Sequence, residues 1–308
     1  MNPAWSVVFF TAIAGAAQGL IVALSIALLA DTTLSSAFMS DALAIAFVMS
    51  VAGLLSSFGH LGRKERAWRA VLMWRTSWLS RECLVLPAFI GWLAVWWLAL
   101  RTGIYGAWLP LVAIVLSAGL WLCTAMIYAC LRFIQEWAQP LTLVNFAMIG
   151  LSSGCILASA LATSHGEAQF MPAGGAFALV LTVIALATRL AALHHNAHIK
   201  HRSTLQSATG IRSVPLVQKA MGMSAGSFNT REFFHGRTLA LLKNVKLVLI
   251  VFGFVLPALL ALAALLNPPL PVVWWLAVAS QAIGLLADRW FFFAQARHPQ
   301  NLYYLVVS

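Results

Sequence analysis

The sequence predicts an all-α polytopic membrane protein, built as a bundle of eight transmembrane helices. Of its 308 residues, 62% are hydrophobic and only 9% are charged, whereas soluble domains carry about 25% charged residues. Long apolar runs recur along the chain, and they lack the alternation that a membrane strand would need. Together these observations predict helices in lipid and a single transmembrane domain over residues 1–308.

Each predicted span follows an apolar run of about 20 residues, the length that a helix needs to cross the hydrocarbon core. The first run begins at Trp5 and is too long for the apolar core of a signal peptide, so we expect it to remain as a helix. Aromatic pairs near span ends, such as Trp274–Trp275, suit the membrane interface. The predicted spans are approximately 5–30, 42–61, 83–100, 108–131, 143–163, 174–193, 247–266 and 273–293.

One connection is long, residues 194–246, and it is polar, basic and without a span of its own. With eight spans, all but one of the 19 lysines and arginines fall on the side that carries both termini and this connection. Only Arg101 falls on the other side. The positive-inside rule therefore places both termini in the cytoplasm. The net charge of +11 reflects this orientation rather than a nucleic-acid partner.

Resident redox groups are not predicted. The four cysteines lie in or beside apolar runs without a C-x-x-C pair, so neither a disulfide framework nor an iron–sulfur site is indicated. A haem between spans needs two intramembrane histidines, and only His60 lies near such a position. His194 and His198 share a helix face, but no nearby carboxylate or cysteine completes a metal site. We therefore expect no metal and no haem. The histidine cluster, His194, His195, His198 and His201, is expected to be a solvated cationic helix end.

Two ionisable residues, His60 and Glu82, flank a short connection that can bring both to one membrane boundary. Ionisable groups at membrane depth are candidates for function. A histidine that binds a quinone carbonyl and a carboxylate that passes protons would together form a quinone site. The alternative is an interfacial histidine that only caps a helix or reaches towards water. The remaining candidates for this site are Arg66, Arg69, Arg81 and Trp78.

A second polar pair, Asp288–Arg289, lies near the end of the last predicted span. Two interpretations remain open for it. It is either a functional polar site or a local ion pair that keeps the end of the helix soluble.

Three motifs between the second and third spans resemble the anchor subunit family of dimethyl sulfoxide reductase. That family has a His-Leu-Gly, an Arg-Ala-aromatic and a Ser-x-Glu that begins the third helix. The chain matches these motifs with His60–Leu61–Gly62, Arg66–Ala67–Trp68 and Ser80–Arg81–Glu82. Looser similarity extends to both ends, at Phe9–Phe10–Thr11 and Asp288–Arg289–Trp290.

The resemblance implies a haem-free anchor that binds ubiquinone or menaquinone, with His60 and Glu82 at the quinone site. It also implies two partners on the cytoplasmic face, an iron–sulfur subunit and a molybdopterin catalytic subunit. Only these partners would carry the molybdenum and the clusters; the anchor itself would contact membrane lipids.

The long connection departs from the dimethyl sulfoxide reductase anchor and is similar to a branch of the family, the anchor of quinone-dependent sulfite dehydrogenase. Its aromatic residues are unusual for a disordered linker, so we expect it to dock a partner subunit; the alternative is a flexible basic linker. The candidate docking residues are Phe228, Arg231, Phe233, Phe234 and His235.

The predicted function is thus a quinone-binding anchor that passes electrons from cytoplasmic sulfite to the quinone pool. One alternative reverses the flow, with quinol oxidation feeding the reduction of a sulfoxide or N-oxide. A second alternative is a transporter, which only the small-residue stretch Gly150–Gly154 favours. The same stretch is also typical of close helix packing.

Overall fold

Eight helices long and apolar enough to cross a membrane form the described part of the chain, which confirms the predicted fold class. A computed structural model describes residues 1–60, 62–212, 216, 236–267 and 270–304, and it contains no strand within these ranges. The spanning helices are α1 (Trp5–Leu29), α2 (Ser36–Ser57), α3 (Trp78–Arg101), α4 (Trp108–Ala129), α5 (Pro140–His165), α6 (Met171–Ala197), α8 (Leu239–Leu266) and α9 (Pro271–Ala294).

Shorter helices lie in the connections. Between α2 and α3 the chain forms two 3₁₀ segments, Phe58–His60 and Lys64–Val71. A five-residue helix, α7 (Leu205–Thr209), lies between α6 and α8, and the segment Pro299–Tyr304 follows α9. We call the side of the bundle that carries the α2–α3, α4–α5 and α6–α8 connections the basic face.

Several helices begin earlier than the apolar runs predict, because polar residues cap them. The Ser35 hydroxyl accepts a hydrogen bond from the Phe38 amide (3.2 Å), so α2 starts at Ser36 rather than near residue 42. Ser77 caps α3 in the same way at 3.4 Å. As a result Glu82 does not open the third span, as predicted, but lies one turn inside it.

The long connection is shorter at both ends than the predicted range 194–246. Helix α6 continues to Ala197. Helix α8 starts at Leu239, because the Thr238 hydroxyl accepts from the Leu241 amide at 3.3 Å. The first turns of α8 therefore contain Lys243 and Lys246, which the apolar pattern alone assigns to the connection.

Helix α1 is the central helix, and it packs against α2, α4, α5 and α9. Its contact with α5 is a backbone contact: a Cβ atom on Gly19 would lie 1.9 Å from the Gly150 carbonyl oxygen, and one on Gly154 would lie 1.9 Å from the Gly19 carbonyl carbon. Only glycine permits this approach. The stretch Gly150–Gly154 therefore serves helix packing, which removes the observation that favoured a transporter.

Helix α8 contains a π-helical segment, Val251–Val255, that the hydropathy pattern does not predict. It faces α9, where a Cβ atom on Gly284 would lie 2.0 Å from the Gly253 nitrogen. Two side chains of α9 bond to carbonyls of the segment. The Ser280 hydroxyl donates to Phe252 O at 2.9 Å, and the Gln281 amide donates to Gly253 O at 3.4 Å.

Candidate functional site

Glu82 is a buried carboxyl near the basic face, and only 6% of it is exposed. Helix α3 places it towards α4, where the Thr124 hydroxyl donates a hydrogen bond to its Oε1 atom. The two residues are 42 positions apart in the chain, so the sequence alone does not connect them. A carboxyl with one hydroxyl donor between apolar helices is a group that can hold or pass a proton.

Arg81 and Trp78 form a compact unit at the start of α3. The Arg81 guanidinium carbon lies 4.2 Å from the centre of the Trp78 ring, within the range of a cation–π interaction. Its Nε atom donates to Trp74 O at 3.0 Å and an Nη atom donates to Arg75 O at 2.8 Å. Arg81 therefore ties the α2–α3 connection to the helix that carries Glu82.

The other two predicted arginines lie further out. Arg66 and Arg69 are exposed on the 3₁₀ segment Lys64–Val71, which packs against α3. The Arg69 guanidinium carbon lies 5.6 Å from the ring of Trp68, itself exposed. Both arginines are therefore exposed at the basic face, whereas Glu82 is buried.

Two groups of predicted residues are not placed by the structure. His60 ends the segment Phe58–His60, but its side chain is outside the described part of the chain. Its pairing with Glu82 therefore stays a prediction. The candidate docking residues also fall outside the described residues; these are Phe228, Arg231, Phe233, Phe234 and His235.

The pair Asp288–Arg289 is not a local ion pair at a soluble helix end, which corrects one of its two interpretations. The two residues are only 1% and 2% exposed. Asp288 pairs across helices, with its Oδ1 atom 2.5 Å from Nε of Arg189 on α6. The Arg289 guanidinium carbon lies 4.0 Å from the centre of the Phe146 ring on α5. The site is therefore a buried charge cluster between α5, α6 and α9.

Polar residues continue from this cluster into the bundle. The Ser152 and Thr182 hydroxyls are 2.8 Å apart, and the Gln281 amide donates to Ser152 at 2.9 Å. These three residues form an inner layer of Ser152, Thr182 and Gln281. An outer layer of Asn145, Arg189 and Asp288 lies seven residues away on the same three helices. Seven residues correspond to about 10 Å along a helix.

Glu136 closes the outer end of this cluster, in the connection between α4 and α5. It is 3% exposed, and its Oε1 atom accepts from the Arg297 amide at 3.3 Å and lies 3.9 Å from Nε2 of His201. Neither Glu136 nor Arg189 is among the residues predicted for a site. A lone acid between Ile134 and Trp137, and an arginine inside an apolar run, are the signals that could have identified them.

The burial of Glu136 predicts a pH dependence. Burial raises the pKa of its carboxyl above the ordinary value of 4.5, against smaller lowering effects from its hydrogen bonds and from His201. A raised pKa favours the protonated form in the folded state, so its contribution to stability is present at low pH and declines as pH rises from 4.5 through the raised value. Glu136→Gln is expected to remove this decline.

The measurement is the unfolding temperature of both proteins in detergent between about pH 4 and pH 8. The variant should gain stability relative to the native chain as pH rises. Glu65→Gln, at an exposed position, serves as the control and should show no such trend. A variant that loses relative stability as pH rises would contradict the role assigned to burial.

Among the described residues, no group of three histidines, cysteines or acids is arranged to hold a metal ion. In the histidine cluster, Nδ1 of His198 lies 2.8 Å from the His194 carbonyl oxygen, and the two rings are 4.3 Å apart. His198 therefore bonds to the end of α6.

Comparison with known proteins gives two similarities. The model of the DMSO reductase anchor subunit family (DmsC) matches residues 1–284. The chain is also 44% identical to a subunit of the sulfite dehydrogenase of Allochromatium vinosum, in an alignment of 336 positions that covers 100% of both chains.

Proposed function

The chain belongs to the DMSO reductase anchor subunit family, and we propose that it is the quinone-binding anchor of a sulfite:quinone oxidoreductase. The observation that carries this proposal is the 44% identity to a sulfite dehydrogenase subunit over the full length of both chains. The buried carboxyl of Glu82 supports the proposal; it lies on a helix that packs against the segment carrying Arg66 and Arg69.

The chemistry around Glu82 suits a quinone. The ring needs an apolar wall, a donor to its carbonyl and a group that exchanges protons, and Glu82 is a buried carboxyl between two apolar helices, α3 and α4. A bound quinone would supply the chemistry of an acceptor for two electrons and two protons. In our proposal His60 donates to a carbonyl, and Glu82 passes protons while Thr124 orients its carboxyl.

In this proposal the headgroup or the partner subunit is positioned by Arg66, Arg69, Arg81 and Trp78. An iron–sulfur subunit docks on the basic face and receives electrons from a molybdopterin subunit. Its contact surface includes the segment around Phe228 and His235. Because the basic connections face the cytoplasm under the positive-inside rule, the termini and both partners are cytoplasmic, at a bacterial inner membrane.

The family description itself favours a second candidate, an anchor in which quinol oxidation feeds the reduction of a sulfoxide or N-oxide. The same Glu82 region would serve either direction, because direction depends on the redox potentials of groups in the partner subunits.

The test is to purify the complex through a tag on this chain in mild detergent and to measure sulfite-dependent quinone reduction. We expect a molybdenum-containing complex that reduces quinone only when sulfite is present. A complex that is inactive with sulfite but oxidises quinol with a sulfoxide would establish the second candidate. A chain that purifies without a redox partner would contradict both.

A further inference from the structure

An open groove runs along the central helix. Although most of α1 is buried, one stripe of α1 stays partly exposed, at Phe9, Ile13 and Ala16, which are spaced by four and three residues on one helix face. Helices α2 and α9 flank this stripe without closing over it, with Met49 on one wall and Ala282 on the other. The groove has a volume of about 210 Å³.

Apolar side chains form most of the lining of the groove, and no lining side chain has a free hydrogen-bond donor. Its two polar residues direct their donors into the protein. The Ser153 hydroxyl donates to the carbonyls of Ile149 (2.9 Å) and Gly150 (3.1 Å), and the Gln281 amide donates to Ser152 at 2.9 Å. A quinone ring needs donors to its carbonyls, so the groove suits a hydrocarbon chain rather than a ring.

The outer end of the groove lies beside the segment that carries His60. The Ser56 hydroxyl of α2 donates to Ser6 O of α1 at 2.9 Å, and a Cβ atom on Gly59 would lie 3.3 Å from Ser6 Cβ. Phe9, the outermost groove residue on α1, lies less than one turn further along the helix. From Phe9 to Ala16 the groove extends about 10 Å into the bundle.

From this position and lining we infer that the groove between α1, α2 and α9 binds the isoprenoid tail of the quinone whose ring lies at His60 and Glu82. The inference rests on the proposed function. The tail of a quinone bound at His60 must leave the ring at that place and enter an apolar path, which the groove provides. A phospholipid acyl chain also begins at the membrane boundary, and the photoreactive analogues described below distinguish it from the tail.

The test uses the intact complex and compares a long-tailed quinone with a quinone that lacks the tail. Ala16→Leu fills the floor of the groove, and Ala282→Trp narrows its wall. Each is expected to raise the KM for the long-tailed quinone by about tenfold, the effect of about 1.4 kcal/mol of lost binding. The KM for the tail-less quinone and kcat should stay unchanged.

The matched control is Ala44→Leu, in a second apolar groove of about 230 Å³ between α2 and α3. Ala44 lies eight residues from the start of α2, at the end opposite His60. This variant should leave both KM values unchanged. Equal shifts for the two quinones in the Ala16→Leu complex, or no shift at all, would overturn the inference.

A second readout separates this inference from the proposed function. A quinone analogue with a photoreactive group at the end of its tail is expected to label peptides of α1, α2, α5 or α9, the helices that line the groove, whether or not sulfite supports turnover. An inactive complex with such labelling would contradict the sulfite assignment and keep the groove. Labelling confined to other helices, or labelling of the groove only by a photoreactive phospholipid, would overturn the groove.

Discussion

Replacing Glu82 by glutamine is expected to lower quinone-coupled turnover of the complex by about 10²-fold or more, the usual contribution of a positioned acid or base. Glutamine keeps the size of the side chain and can still accept the Thr124 hydrogen bond, but it cannot exchange a proton. The measurement is the rate of sulfite oxidation with a quinone, compared with the rate with an artificial acceptor that bypasses the membrane subunit. Only the quinone-coupled rate should fall.

Glu65→Gln is the control, because Glu65 is exposed on the neighbouring 3₁₀ segment and should have no effect. His60→Ala, made separately, is expected to abolish the same quinone-coupled rate while the complex still assembles. Unaltered quinone turnover in Glu82→Gln would exclude Glu82 from the site. A complex that loses its partner subunits would instead assign the residue a structural role.

The second large effect is expected at the buried charge cluster. Arg189→Met leaves Asp288 buried without the guanidinium 2.5 Å away. Removing one partner of a buried ion pair destabilises a protein by about 3–5 kcal/mol, because the remaining charge has lost its compensation. We therefore expect a large fall in the unfolding temperature of the detergent-solubilised chain. Arg63→Met, at an exposed position, should change it little.

The double variant Arg189→Met, Asp288→Leu tests whether the loss of stability comes from the ion pair itself or from the residues around it. With both charges removed, no unpaired carboxylate remains, but Arg289 stays buried without the neighbouring carboxylate, so stability is expected to recover only part of the loss. If the double variant is as unstable as the single one, the cluster acts through packing or through Arg289 rather than through the Arg189–Asp288 pair.

Hydropathy predicts the number and the centres of the spans well, because each apolar run is long enough to cross the bilayer. It does not predict which helix is central. Helices α1 and α3 have nearly equal mean hydropathy, yet most of α1 is buried inside the bundle and most of α3 is not. The physical reason is that lipid tails and a protein interior are equally apolar, so a sequence does not distinguish the two environments.

The same limitation applies to the polar residues. Glu82 is recognisable as a candidate from its depth, but its partner Thr124 lies on another span, and the pairing depends on helix rotation. Arg189 is overlooked as a site residue for a simpler reason: an arginine near the end of a span looks like a charge that only orients the protein. Its link to Asp288 arises only when α6 and α9 come together in the folded bundle.

The π-helical segment in α8 has a consequence for insertions and deletions during evolution. Such a segment has a wider turn than an α-helix, so deleting one of its five residues would restore regular geometry. The part of α8 before it would keep its face towards the bundle, because the wide turn holds one extra residue within a single turn of the helix. Lys243 and Lys246 would then keep their neighbours, whereas the carbonyls that Ser280 and Gln281 now bind would move. A one-residue deletion within this segment, in any related chain, is thus expected to preserve the orientation of the outer half and to change only the contacts with α9.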